Sequence, residues 1–298
     1  MCRLLLLLLL CCAICSILSS ECGFKSWYST ALSRLSTVEP LTSIKVDARY
    51  GGLPEGIMGS MVNTDVTFRS EAYETPSLAY FRMVSFSADN GGYNVFNLMA
   101  LPRLHAPLPI FSADIVVLPG GLLAAIDFQP ARDASLSINS EYFESSFYTE
   151  HKAAFTMVTS PLPAGGALPI EAHRYFSPYA LWTRTAMKDI MEGHNDVFDT
   201  VYMQNVEKAF YSYIDAYIHT IEGIQATDDD ENRSGGVVGE DNKASADGCL
   251  TLPCKTFLSE YLQYRIDKDP ARNMLVGSFG EDWTEEMLRA VLFPTSVL

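Results

Sequence analysis

Two aspartates stand where aspartates are expensive. Residues 108–130 read LPIFSADIVVLPGGLLAAIDFQP, with Asp114 at the start of one apolar run and Asp127 near the end of the next. A carboxylate set among such residues must be paired, hydrogen-bonded or protonated. Burial raises its pKa, so its neutral form persists toward neutral pH and can serve as a general acid. The structural alternative is that Asp114 caps a loop or pairs with an arginine. A further acid, Asp269, directly precedes Pro270. Proline biases the preceding residue away from helical dihedrals and is tolerated in a first helical turn, so a helix is expected to restart near Pro270 or Ala271. Read alone, Asp269 is its N-cap, which also holds the carboxylate rigid. Asp127 lies on the same hairpin as Asp114, and strand alternation is expected to point it elsewhere.

The elements that must hold these acids follow from periodicity. Ile115–Leu118 and Leu122–Phe128 flank Pro119-Gly120-Gly121, the pattern of two buried strands joined by a tight turn with glycines available for positive φ. Upstream, Met61–Thr67, Tyr80–Ser87 and Tyr93–Leu101 read as further strands, separated by turn signals such as Asp89-Asn90-Gly91-Gly92. Links this short demand antiparallel neighbours. Beyond Pro130 the spacing becomes helical, over Glu141–Met157 and over Asp196–Ile221. The second of these carries Val206, Phe210, Tyr213, Ile214, Tyr217, Ile218 and Ile221 on one stripe, read as core. Phe257–Arg265 reads as another helix. Strands first and helices afterwards indicate an α+β fold with helices covering an antiparallel sheet. Thr227–Gly248 is polar and without a period, so a disordered acidic insertion is expected there.

The chain has 298 residues, 48% of them hydrophobic and 19% charged, enough for one domain with a sizeable core. Residues 4–18 are Leu-rich, follow Arg3 and precede Ser19-Ser20, as in a signal peptide over 1–20. Lys25–Val38 has Ser, Thr and bases but no acid, so 21–50 is expected to be a transit-like segment, with the folded domain over 51–298. Together they predict bipartite targeting to a plastid, against ordinary secretion as the alternative. Five of the seven cysteines fall within the first 22 residues, leaving Cys249 and Cys254 and no disulfide framework. The insertion supplies −5 of the formal charge of −15. Basic stripes interleaved with aromatic platforms are absent, so nucleic-acid binding has no support.

The hairpin resembles the central hairpin of the ferredoxin-dependent bilin reductases: LP-x-F-x-x-D, a PGG-type turn, then D-x-Q-P. Phe176-Ser177-Pro178-Tyr179-Ala180-Leu181 with Arg184, and the stretch from Tyr261 to Pro294, match the same family in the same order. The resemblance implies a three-layer α/β/α sandwich, with a linear tetrapyrrole held between the sheet and the C-terminal helices. It also implies proton transfer by Asp114 and Asp269, the latter within Asp-x-x-Arg with Arg272. The resemblance further implies that no cofactor is bound, since the pigment itself accepts single electrons, and that these come from an external reduced [2Fe-2S] ferredoxin. An acidic ferredoxin wants a basic docking face. Arg265, Lys268 and Arg272, or Arg174, Arg184 and Lys188, are the candidates, and arginines among them also suit the pigment propionates. Further candidate pigment contacts are Phe176 and Ser177. Family members that make phycocyanobilin carry a Glu and a His on the two preceding strands; aligned without gaps, these positions are Ser85 and Asn97. The expected branch is therefore phycoerythrobilin formation from biliverdin IXα or 15,16-dihydrobiliverdin. The protein is expected to act as a monomer, passing product to a neighbouring bilin reductase or bilin lyase. A non-catalytic bilin carrier is the alternative, disfavoured because a carrier needs no proton donors.

Overall fold

The structure, a computed structural model, describes residues 24–50, 57–61, 64–88, 92–131, 146–233 and 247–298. Its centre is an antiparallel sheet of β1 (Thr42–Ile44), β2 (Ile57–Met61), β3 (Thr64–Glu74), β4 (Leu78–Ala88), β5 (Asn94–Pro102), β6 (Ile110–Leu118), β7 (Gly121–Gln129) and β8 (Leu181–Ala186). The spatial order is β1-β3-β4-β5-β6-β7-β8, and β2 also pairs with β3. From β2 to β7 each strand pairs with the next in sequence, the meander that short links require. Met61–Thr67 is not one strand: it straddles the link between β2 and β3. The edge strand β8 is too short and too mixed in character to stand out in the sequence.

The turn between β6 and β7 is Pro119-Gly120, and neither it nor Gly121 uses positive φ; among the described glycines that conformation belongs to Gly166, Gly193 and Gly280. Gly121 is needed for a different reason. A Cβ there would lie 2.5 Å from the carbonyl oxygen of Thr185, so a side chain would push β8 off the sheet.

Each face of the sheet has its own helical layer. Alternate residues of β6 (Phe111, Ala113, Ile115, Val117) are buried under α1 (Lys25–Val38), α2 (Ser146–Thr159) and α4 (Val201–Arg233). The expected stripe of α4, from Val206 to Ile221, is core throughout. The other face carries α5 (Asp247–Lys268), α6 (Arg272–Phe279), α7 (Glu281–Met287) and the π-turn Leu288–Leu292 that follows. A short helix, α3 (Met187–Ile190), follows β8. The α/β/α sandwich is the expected architecture.

Two expectations about irregular segments are corrected. Lys25–Val38 is helix α1, and its Trp27, Tyr28, Ala31 and Leu35 form one buried stripe. Trp27 stacks on Phe210 with ring centroids 4.8 Å apart. The folded body therefore includes Lys25–Val38, ahead of residue 51; the Ser/Thr-rich, acid-free solvent face conceals the stripe in the sequence. Trp27→Ala is expected to cost about 3–5 kcal/mol, read as a lower melting temperature, and protein starting after Val38 is expected to be insoluble. The second correction concerns the acidic insertion: Thr227–Arg233 continues α4, and α5 starts at Asp247. The expected disorder over 234–246 lies outside the described residues, as does the start of the helix expected from Glu141.

Candidate active site

Register decides which side chains meet. In antiparallel pairing, directly opposed residues project from the same face. Asp114 pairs with Asn97 on β5 and with Ala125 on β7, and Asn97 pairs with Val84 on β4. This face is the one covered by the C-terminal helices. Ser85 pairs with Phe96 and belongs to the opposite face, where Phe96 packs against Phe24, Trp27 and Tyr28. Val84, not Ser85, stands beside Asn97. A single-residue offset moves a side chain through the sheet, and β4 and β5 shift register between Leu78 and Tyr80.

Asp114 is not surrounded by apolar side chains alone. Arg265 on α5 reaches down to it, with Nη2 donating to Asp114 Oδ2 at 3.1 Å; the side chains are 13% and 24% exposed. Nη1 of the same guanidinium lies 3.4 Å from Ser112 Oγ and 3.2 Å from Tyr261 Oη. Tyr261, one helical turn before Arg265, donates its hydroxyl to Gln129 Oε1 on β7. Burial works against the Arg265 charge, but Tyr261, Asp114 and Asp269 outweigh it and raise its pKa. A guanidinium so committed is unsuited to a ferredoxin-docking surface.

Asp269 follows the end of α5, partly buried, and accepts the Ala271 N–H at 2.8 Å on Oδ1. Asp269 is not the N-cap expected of it: α6 begins at Arg272 with Ala271 as its N-cap, and the Asp269 carboxylate closes the turn that leads into it. Burial raises the Asp269 pKa, Asp114 adds to the rise, and Arg265 and Arg82 oppose it.

Arg82 and Phe293 complete the cluster. Arg82 is 0% exposed on β4; its Nε donates to the Leu292 carbonyl at 2.7 Å and its Nη1 to Asn97 Oδ1. Phe293 is held by both arginines, with guanidinium carbons 5.3 Å (Arg82) and 4.9 Å (Arg265) from its ring centroid. Sequence reasoning missed Arg82, although a base inside Leu78–Ala88 is as conspicuous as Asp114 in its hairpin. Phe293 gives no comparable signal.

The remaining candidates are placed elsewhere. Arg272 bonds the Ile266 carbonyl and pairs with Glu285, joining α5 to α7. Ser177 donates its hydroxyl to Asp127 Oδ1, its N–H to Asp127 Oδ2 at 2.8 Å, and its Oγ accepts the Tyr179 N–H at 3.1 Å. These contacts fasten the Phe-Ser-Pro segment to β7. Phe176 is half-buried between Ser177 and Tyr175, whose ring packs on Tyr261 and Tyr264 of α5. Arg174 pairs with Glu260, Lys268 lies 3.9 Å from Glu171, and Arg184 is exposed on β8. Asp127 pairs with Ser112, so it shares the face of Asp114 rather than pointing away.

Burial pushes the Asp127 carboxyl up to about 7, against the bonds from Ser177 and the Phe128 amide. An unfolded Asp titrates at about 3.9. Between these values the folded protein holds a proton that the unfolded chain has released. The stability linked to Asp127 is therefore present below about pH 4 and lost as pH rises through about 7. Calorimetry across this range should show wild type losing stability relative to Asp127→Asn; a pH-independent difference counts against the buried neutral carboxyl.

Along β6 and β7 the same face opens out. Val116, Leu118, Leu123 and Ala125, with Trp182 of β8, remain half-exposed, while the residues alternating with them on the opposite face are buried. Beyond Arg265 the described chain thus leaves an apolar trough with Asp114 and Asn97 at its inner end. Such a surface suits a flat conjugated molecule with a few convergent polar groups.

The family described as ferredoxin-dependent bilin reductase matches residues 29–294. A phycoerythrobilin:ferredoxin oxidoreductase of Nostoc punctiforme is 31% identical over 229 residues, covering 77% of this chain and 76% of the relative. The protein of the same name from Synechococcus sp. (strain CC9902) is 33% identical over 215 residues, covering 72% of each. Among solved structures, tomato phytochromobilin synthase in complex with biliverdin superposes with a TM-score of 0.70 at 22% identity, covering 92% of this chain and 83% of that one. That likeness concerns the fold.

Proposed function

The chain belongs to the ferredoxin-dependent bilin reductases, and on that premise we propose that it makes phycoerythrobilin, with 15,16-dihydrobiliverdin as the preferred substrate and biliverdin IXα as the alternative. The observation that carries the reading is the convergence of Asp114, Asn97 and Asp269 on one half-open face of the sheet. The names of the relatives favour the phycoerythrobilin branch.

Reduction of one double bond takes two electrons and two protons. Reduced [2Fe-2S] ferredoxin supplies the electrons singly, and each ferredoxin is oxidised by one electron. The protein supplies the protons and the geometry. Asp269, whose carboxyl pKa is raised by burial, gives the first proton to the one-electron-reduced pigment. Asp114, with 24% of its side chain open, is the route by which a second proton from solvent arrives. Asn97 is neutral and orients the pigment. The ferredoxin face includes Arg184 and Lys188, which are both exposed; product passes to a bilin lyase or a neighbouring reductase.

The proposed location is a plastid, reached through a presequence that ends before Phe24. A mature N-terminus mapped within or beyond α1 would overturn that boundary. The activity is tested by anaerobic incubation with each bilin and reduced ferredoxin, reading products by absorbance and chromatography. Conversion of 15,16-dihydrobiliverdin to phycoerythrobilin supports the assignment. A pigment that binds and never changes beyond its binding shift establishes the carrier reading instead.

A further inference from the structure

Arg82 is a cost that the fold alone does not explain. It sits in the middle of β4 with no exposure, and its Nη2 is buried with no hydrogen-bond partner among the described residues. An orphaned buried donor on a charged group is strongly unfavourable. Anchoring the Leu292 carbonyl needs one neutral donor, not a guanidinium. Burial lowers the Arg82 pKa to about 10, which still leaves it charged at neutral pH.

We propose that Arg82 is a positioning residue of the pigment pocket: it locks the Asn97 amide with its N–H groups toward the pigment and keeps one unbalanced positive charge beside the trough. The proposal rests on the pigment-pocket reading above. Its first half follows from donor inventory. Arginine only donates, so the Asn97 atom facing Nη1 must be its carbonyl oxygen, and the amide's two N–H donors are turned away from Arg82 toward the trough. Asn97 therefore selects an acceptor atom of the pigment, such as a lactam carbonyl oxygen, and rejects the other amide orientation.

The second half follows from charge. Arg265 is balanced by its ion pair with Asp114. Asp269 makes no ion pair among the described residues; its Oδ1 accepts the Ala271 N–H, and burial raises its pKa. Arg82 bonds a carbonyl and an amide and makes no ion pair among the described residues. An electron arriving on the pigment lands in a pocket that already carries this excess, and low local polarity strengthens the attraction. The charges acting on Asp269 are Arg265 from α5, Asp114 from β6 and Arg82 from β4. Removing Arg82 removes one of the two that hold its pKa down.

The test compares wild type with Arg82→Gln, Arg82→Lys and Tyr80→Phe, using bound biliverdin IXα and 15,16-dihydrobiliverdin. Tyr80 donates to the Val291 carbonyl at 3.0 Å, so its variant loosens the same C-terminal segment without touching charge or Asn97. Single-turnover reduction by ferredoxin is followed across pH, alongside the bound-pigment spectrum. Arg82→Gln should slow reduction by about tenfold or more and move the alkaline limit upward by about one pH unit. Arg82→Lys should keep the alkaline limit near wild type but shift the spectrum, because the charge stays while the fork that fixes Asn97 is lost. Tyr80→Phe should lower the melting temperature and change neither readout. If Arg82→Gln does not fold, the lysine variant still decides, since a wild-type spectrum there refutes the positioning of Asn97. Wild-type profiles in Arg82→Gln, or the same changes in Tyr80→Phe, overturn the proposal while the pocket reading stands. Failure of wild type to bind either pigment sinks both.

Discussion

Asp269→Asn binds bilin and accepts the first electron, then stalls: turnover falls by about 100- to 10,000-fold and a pigment radical accumulates. The expectation rests on burial of a carboxyl that the chain cannot fully compensate. Desolvation raises its pKa, and the opposing charges of Arg265 and Arg82 are partly cancelled by Asp114. The asparagine keeps the shape and an oxygen to accept the Ala271 N–H, so the turn into α6 survives. What disappears is the transferable proton. Because the working form is the protonated one, wild-type turnover should fall as pH rises through the folded pKa of Asp269. The variant should lose that alkaline limb. Rapid-mixing absorbance and electron paramagnetic resonance under anaerobic conditions read both effects. A variant that turns over at near wild-type rate, or accumulates no radical, removes Asp269 from the proton path.

The sequence made the sheet and the acids legible because both announce themselves within short windows. Apolar runs bounded by turn signals mark β4 to β7, and an acid inside an apolar run marks Asp114 whatever surrounds it. What stayed hidden depends on pairing between distant windows. Ser85 and Val84 are neighbours in sequence but lie on opposite faces, and only the register with β5 tells which one joins Asn97. Arg265 was visible as a base and invisible as the partner of Asp114, 151 residues away. The motif around Ser177 gives no sign of Asp127, the partner on another element that holds it. Helix α1 was obscured differently: its apolar stripe is short, and its polar face mimics a targeting segment. Long-range pairing costs chain entropy that no local pattern records.

The expected defect of Asp114→Asn is a different arrest. Its carboxylate faces the trough, bonded to Arg265 through Oδ2, and the asparagine can keep that bond through its amide oxygen. Folding and pigment binding should therefore change by no more than a few-fold. The second protonation should not survive: without an ionisable group at the open end of the cluster, solvent protons reach the reduced pigment slowly. Product formation is expected to fall by about 100-fold or more. The first proton still comes from Asp269, so the species that accumulates should be the protonated, one-electron-reduced pigment rather than its radical anion. The two differ in absorbance and in the effect of deuterated solvent on the resonance spectrum. Asp127→Asn is the useful comparison, because it shares the sheet face and the hairpin but is bonded to Ser177. It should alter melting temperature and leave radical lifetimes at the wild-type value. Acids that act in sequence on one pigment, and that share Arg265, should also be non-additive. The double variant Asp114→Asn with Asp269→Asn should be no slower than the slower single variant, and should accumulate the radical anion of Asp269→Asn. Multiplying defects would mean that the two acids work independently, and the ordered delivery of protons would have to be abandoned.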